Sequence, residues 1–423
     1  MKVLVIGGGG REHALVWKIL QSPLATAVSC VPGNAGTQAV APGPSISAED
    51  VDSLLEYART QRFDLTVVGP EVPLAQGLVD RFEDQGLPCF GPTKAAAQIE
   101  ASKTFAKELM VEAGIPTADY AVFDDPDKAA AYIETKGAPI VVKADGLAAG
   151  KGVLICRERD EALQAVDDIG RKRQFGEAGS RIVVEELLVG EEASFLALTD
   201  GFTVLPMATS QDHKPVFDDD TGPNTGGMGA YSPAPVVSPR VGEAIMEQVM
   251  VPAVRAMTDR GTPYRGILYA GLMIDPQGAF KVLEFNCRFG DPETQPLMMR
   301  LKSDLLPALA ACRNGSLDKI ELQWSDKPAV CVAMTSGGYP GSYTKGLPIE
   351  GLDIQQPNTM VFHAGTRRDE GKIVSSGGRV LGVTALGADI PDAIRAAYNR
   401  TRSIHFDGMH FRTDIGRKAL SYL

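Results

Sequence analysis

Residues 265–294, RGILYAGLMIDPQGAFKVLEFNCRFGDPET, constrain the fold more than any other stretch of the chain. Two apolar runs, 266–274 and 279–285, flank Asp275-Pro276-Gln277-Gly278, where proline presets one turn torsion and glycine tolerates a positive φ. The pattern predicts a β-hairpin. On its second strand, alternation puts Glu284, Asn286 and Arg288 on one face and Leu283, Phe285 and Cys287 on the other. A carboxylate, an amide and a guanidinium on an otherwise apolar strand are costly to bury unless they hold something charged. Glu284 and Asn286 offer oxygen ligands to a hard cation such as Mg2+, and Arg288 offers a planar fork to phosphate or carboxylate. The plainer reading is an edge strand with a solvated polar face. The polar sequel Gly290-Asp291-Pro292-Glu293-Thr294 argues against it.

A chain of 423 residues exceeds one ordinary core, and its length suggests about three domains. The formal net charge of −11 leaves no basic excess for non-specific nucleic-acid binding, so an anionic substrate must meet local basic clusters. The six cysteines form no CxxC pair, which argues against a zinc site or a disulfide framework. The start MKVLVIGGGG reads as neither a signal peptide nor a membrane span, and a cytoplasmic location is expected.

Residues 1–100 alternate strand and helix patterns, with strands at 3–6, 27–31, 65–68 and 88–90 and helices at 11–20, 48–59 and 74–85. This is the pattern of a doubly wound parallel sheet. Ligands in such sheets sit beyond the carboxyl ends of the strands, where Gly7-Gly8-Gly9-Gly10-Arg11-Glu12, Pro32-Gly33-Asn34 and Gly69-Pro70-Glu71 would converge. A dinucleotide fingerprint fails, because Glu12 stands at its last glycine position and no acid follows the second strand. A monophosphate at a helix N-terminus fits better, although the glycines are also what a tight turn requires.

Ser102 reads as the N-cap of a helix over 103–113, which puts a domain boundary near residue 101. Residues 120–188 form a strand, helix, strand, loop, strand, helix, strand series small enough to be a lid. At its centre a strand ends in Lys143, and the loop Ala144-Asp145-Gly146-Leu147-Ala148-Ala149-Gly150 leads to Lys151. Small residues bare the backbone NH groups to a polyphosphate, and a lysine on each side supplies point charges. The GxxxxGK[ST] phosphate loop is absent. The strand at 181–189 could offer its backbone to an adenine edge with a carboxylate nearby, or it could be an ordinary crossover with solvated acids. Ser210-Gln211-Asp212-His213-Lys214 and 221–231 form a long polar loop of functional composition. There Asp212 could hold an ammonium group, and His213 or Lys214 a phosphate, although a lone histidine is as often structural. Helices at 240–260 and 297–312 should cover the hairpin, and short strands with a helix from 327 onward suggest a closing α+β domain without chemistry of its own.

Together, Gly9-Gly10-Arg11-Glu12-His13, 143–152, 211–214, 221–233 and 284–293 resemble one family over nearly the whole chain, the glycinamide ribonucleotide synthetases of the ATP-grasp superfamily. The resemblance implies an N-terminal phosphoribosylamine-binding α/β domain (1–101), an ATP-grasp core (102–119 and 189–326), a hinged lid (120–188) and a C-terminal α+β domain (327–423). The implied reaction is ATP-dependent ligation of glycine to 5-phosphoribosylamine through a glycyl phosphate, with Mg2+ or Mn2+, in purine biosynthesis. No nucleic-acid or membrane partner is implied, and the chain is expected as a monomer or weak homodimer.

Carried over by position, Lys103 and Lys143 are expected at the ATP phosphates, where the loop reading adds Lys151, with Glu185, Glu186 and Leu188 at the adenine and Glu192 at the ribose. Glu284 and Asn286 match the metal ligands, and Arg288 the residue at the acyl phosphate. Asp212, Asp291 and Arg288 are expected at glycine, with His213 and Lys214 beside the reacting groups. Gly10, Arg11, Glu12, Asn34 and Glu71 are expected at phosphoribosylamine. Two departures stand out: Gly8 replaces a frequent asparagine, and the first hairpin strand, Leu272-Met273-Ile274, carries no metal-binding carboxylate. The rival class is a nucleotide-binding regulator or oxidoreductase using only the first domain, which leaves the polar hairpin face unexplained.

Overall fold

The computed structural model describes residues 1–148 and 151–423, so Ala149 and Gly150 of the small-residue loop lie outside the described residues. At the N-terminus four parallel strands lie in the order Ala27–Pro32, Lys2–Gly7, Leu65–Val68, Cys89–Phe90. Leu4 pairs with both Ser29 and Thr66, which centres the first strand. The helix expected over 74–85 is instead two helices, Glu71–Gln76 and Leu78–Asp84. They break at Gly77, whose φ of +94° suits glycine. The first begins three residues early, which makes Glu71 its first residue and turns it toward the centre of the molecule.

The segment expected as a lid is an antiparallel sheet in the order Tyr120–Phe123, Ile182–Glu186, Ile140–Ala144, Val153–Cys156. Helices Pro126–Lys136 and Arg159–Val166 bury Ile133, Ala162 and Val166 against Val142 and Ile182 in a core of its own. The central sheet runs Val204–Pro206, Glu191–Thr199, Gly266–Ile274, Phe280–Asn286, and the last two strands are the expected hairpin. Its register slips once: Gly271 pairs with Glu284 but Leu272 with Val282, so Leu283 is the extra residue of a β-bulge. Strict alternation therefore fails at Leu283, which lines the cleft with Glu284 while Val282 and Phe285 enter the core. That core is shared, joining Leu4 and Phe82 of the first sheet to Leu268 and Phe285 of the hairpin.

The segment 210–231 is not an irregular loop. Pro215–Phe217 and Thr221–Asn224 form a small hairpin, while Gln211–Asp212 and Gly229–Ser232 enter the C-terminal sheet. That sheet continues through Ala329–Ser336, Arg379–Leu386 and Thr359–His363, with helix Ile390–Thr401 packed on it. The central and C-terminal segments thus share backbone hydrogen bonds. Among the described residues no helix is long and apolar enough to cross a membrane.

Candidate active site

A cavity of about 530 Å3 lies where segment 120–188, the two sheets and the C-terminal segment meet. At one end helix Lys103–Glu112 starts on Ser102, whose Oγ accepts from Phe105 N at 3.2 Å, as the capping signal required. Asp145 Oδ1 also accepts from Thr104 N at 2.6 Å, which ties this helix start to the loop after the Lys143 strand. Lys103 Nζ donates to Gly146 O at 3.2 Å. Lys143 Nζ and Lys107 Nζ stand 2.9 and 3.1 Å from the same Glu185 oxygen, and all three side chains are buried. Sequence reasoning missed Lys107, although its i+4 spacing from Lys103 on one helix face was the available signal. Burial lowers the pKa of both helix lysines, that of Lys107 to about 8. An incoming polyphosphate would favour their charged form.

Glu185 Oε1 has no protein partner, whereas Glu186 accepts from Asp119 N at 3.0 Å and pairs with Lys281. Leu188 also lines this end.

Midway, Glu284 and Asn286 face the cavity from the second hairpin strand. Burial pushes the Glu284 carboxyl upward, but Lys214, Lys143, Lys103 and Arg288 outweigh it and hold the group ionised below its ordinary range. Lys214 Nζ lies 2.7 Å from Glu192 and 3.9 Å from Glu284, so it bridges the two acids. A carboxylate and an amide oxygen suit a hard cation that keeps water and phosphate oxygens in its remaining positions. No group of three or more acidic, histidine or cysteine ligands forms among the described residues. The first hairpin strand contributes Met273 to the wall, and no carboxylate.

At the far end Arg288 forms ion pairs with two acids, with Nε 3.4 Å from Glu71 and Nη2 3.2 Å from Glu100, and its Nε makes no hydrogen bond among the described residues. Glu100 Oε2 also accepts from Cys287 N at 2.7 Å, and burial raises its pKa. Burial acts upward on Glu71 too, but Arg288 and Arg11 outweigh it and lower the carboxyl. Asp291 pairs with Arg379 at 3.1 Å and accepts from Gln295 Nε2 at 2.8 Å. Arg379 Nη1 also donates to Asp291 O at 2.6 Å and Gly226 O at 2.5 Å. The C-terminal segment therefore places a guanidinium in the cleft and does more than close it. Asp212 is driven up to about 7 by burial, against Lys214, with Glu293, Glu192 and Glu284 adding to the rise.

Five expected site residues lie elsewhere. His213 is 1% exposed, its ring lies beside Tyr231 and it does not line the cleft. Successive strand residues point to opposite faces, so placing Asp212 in the cleft sends His213 into the C-terminal core. There burial, followed by Arg412, lowers its pKa to about 3, which fits a packing residue better than a proton carrier. Lys151 turns out toward the C-terminal segment, with Nζ 3.3 Å from Pro340 O, and lines a separate cavity. Glu12 is buried beneath the glycine loops, where it accepts from Gly9 N at 2.5 Å and from Arg11 Nε at 2.6 Å. A Cβ at Gly69 would overlap it, so those glycines make room for an internal carboxylate. Gly10 lets its helix approach Gln295, whose Nε2 would lie 2.6 Å from an added Cβ. Asn34 spends its side chain on protein: Nδ2 donates to Gly8 O and His363 O at 3.0 and 2.7 Å, and Oδ1 accepts from Gly36 N and Thr37 N at 2.9 and 3.0 Å. Of the expected phosphoribosylamine residues, Arg11 and Glu71 reach the cleft.

Three family models match in succession: the phosphoribosylglycinamide synthetase N domain over residues 1–100, its ATP-grasp (A) domain over 101–294 and its C domain over 329–418. The chain is 53% identical to the phosphoribosylamine-glycine ligase of Vibrio vulnificus strain CMCP6, covering 100% of this chain and 99% of that protein. It is also 53% identical to the ligase of the same name from Escherichia coli O6:H1, over 99% of both. The crystal structure of phosphoribosylamine-glycine ligase from Thermotoga maritima superposes with a TM-score of 0.84 at 32% identity, covering 98% of this chain and 100% of that one. A biotin carboxylase from Campylobacter jejuni shares the fold, with a TM-score of 0.77 at 14% identity. The chain belongs to the phosphoribosylglycinamide synthetase family.

Proposed function

We propose that this cleft joins glycine to 5-phosphoribosylamine with cleavage of ATP, giving glycinamide ribonucleotide, ADP and phosphate. The observation that carries the reading is the position of Arg288, which follows the Glu284 and Asn286 strand and touches Glu71 of the N-terminal domain. A glycine carboxylate oxygen attacks the γ-phosphorus, the bond to the bridging oxygen breaks, and ADP leaves. The amine nitrogen of phosphoribosylamine then attacks the carbonyl carbon of the glycyl phosphate. Phosphate departs with the carbon–oxygen bonding pair, and the nitrogen gives its proton to phosphate or water.

Lys103, Lys107 and Lys143 hold the phosphates, and the stretch from the strand Ile182–Glu186 to Leu188 borders the base. Arg288 faces the charge that builds on the carbonyl phosphate, where a preorganised donor is most effective. Mg2+ on Glu284 and Asn286 would supply charge neutralisation of the transferred phosphoryl group. Closure of the lid, residues 120–188, keeps water from the acyl phosphate. The N-terminal segment takes phosphoribosylamine through Arg11 and Glu71, and the setting is cytoplasmic.

The test is ADP release by purified protein with Mg2+. Release that requires both glycine and phosphoribosylamine is expected, and release indifferent to either would overturn the reading.

A further inference from the structure

Asp212 is 8% exposed, yet among the described residues its carboxylate has no hydrogen bond and no ion pair. Lys214, two residues along on the same face, is committed to Glu192 at 2.7 Å and Glu284 at 3.9 Å. The next acid along this wall is Glu293, which is 3% exposed and lines the same cleft. Its Oε1 accepts from Tyr269 OH at 2.7 Å and Ser194 Oγ at 3.0 Å, while its Oε2 accepts no hydrogen bond among the described residues. Ser194 also bridges to Ser210 through the backbone, at 2.9 Å from its N to Ser210 O, which brings the Glu293 anchor beside the strand of Asp212. Two hydroxyl donors on one oxygen hold the Glu293 carboxylate in place as an acceptor. Two buried acids facing one space, with the nearest lysine engaged elsewhere, leave a place that a cation completes.

Asp291, the other expected partner of Asp212, is not free for this. Arg379 and Gln295 occupy its two carboxylate oxygens at 3.1 and 2.8 Å.

We infer that Glu293 and Asp212 together seat the ammonium group of the amino-acid substrate, with Glu293 Oε2 and the Asp212 carboxylate as its acceptors. This rests on the ligase reading above and names a binding residue that reading does not include. A primary ammonium carries three N–H donors, enough to reach both acids while the substrate carboxylate lies toward Arg288.

The test uses the full-length protein and Glu293→Gln, which keeps the shape and removes the charge. The apparent KM for glycine is expected to rise about 10- to 100-fold, as for loss of a charge-assisted hydrogen bond, with the KM for ATP within about twofold. Acetate, which has the carboxylate but no ammonium, should inhibit wild type and variant equally. An unchanged glycine KM, or an equal loss of glycine and acetate binding, would overturn the seat. Wild-type protein that ignores glycine altogether would instead overturn the ligase reading.

Discussion

Arg288 Nε stands 3.4 Å from Glu71 Oε2, although the two residues belong to different segments of the chain. The guanidinium follows the last hairpin strand, and the carboxylate opens the helix after the third N-terminal strand. The pair joins the end of the cleft proposed for phosphate chemistry to the end proposed to receive the amine.

Arg288→Ala should therefore damage turnover more than nucleotide binding. A fall in kcat of about 100- to 1,000-fold is expected, in the range for losing one preorganised donor at a developing charge. ATP affinity, read by equilibrium titration, should stay within a few-fold. Unchanged kcat would remove Arg288 from the reacting centre.

Glu284→Ala takes away one of the two oxygen ligands proposed for the divalent cation. The Mg2+ concentration for half-maximal rate should rise about tenfold or more, in line with losing a charged ligand. Chelation with EDTA should abolish wild-type turnover, and added Mg2+ should restore it. A Mg2+ titration identical to wild type would show that Glu284 does not hold the metal.

Asp212 carries a stability cost in the ligand-free protein. Its folded pKa of about 7 lies above its ordinary value of 3.8, so between these the folded state binds more protons than the unfolded one. Stability from this group is present at low pH and is lost as pH rises toward and past 7. Asp212→Asn should therefore stabilise the ligand-free protein at pH 8 by on the order of 1 kcal/mol or more, read as a raised melting temperature. The difference should vanish near pH 4, and a variant less stable than wild type at pH 8 would contradict the assignment.

Acid should first loosen the junction of the N- and C-terminal segments. His363 N donates to His13 Nδ1 at 2.8 Å, and burial lowers the two rings to about 3 for His13 and about 4 for His363. Unfolded, each ring protonates near 6.5, so the unfolded state binds more protons below that pH. The stability these neutral rings contribute is full above 6.5 and is lost as pH falls, by about 1.4 kcal/mol per pH unit for each histidine. Urea midpoints from pH 7 to 4.5 should show this slope, and His13→Asn should flatten it. An unchanged slope in that variant would exclude His13 as its source.

The legible parts of this protein were the local ones. The turn Asp275-Pro276-Gln277-Gly278 and the Ser102 cap carry their physics within a few residues, and they stand where that physics puts them. The bulge at Leu283 was not legible, because a one-residue register slip depends on how a partner strand meets it. Lys107 had a local signal in its i+4 spacing from Lys103. Glu100 and Arg379 escaped notice, and Glu293 stood in the polar sequel without a role, because each acquires meaning from a partner far along the chain. Arg379 and Asp291, for example, are 88 positions apart.

Alternation and turn chemistry by themselves determined that Glu284, Asn286 and Arg288 would present one polar face on a hairpin, since those rules act within a strand. Only the tertiary structure decided what that face meets. It sent His213 into a core, turned Asn34 and Glu12 inward to hold loops, and paired Asp291 with Arg379. A buried polar group must be satisfied by whatever packing brings near, and that neighbour is set by the assembled sheets.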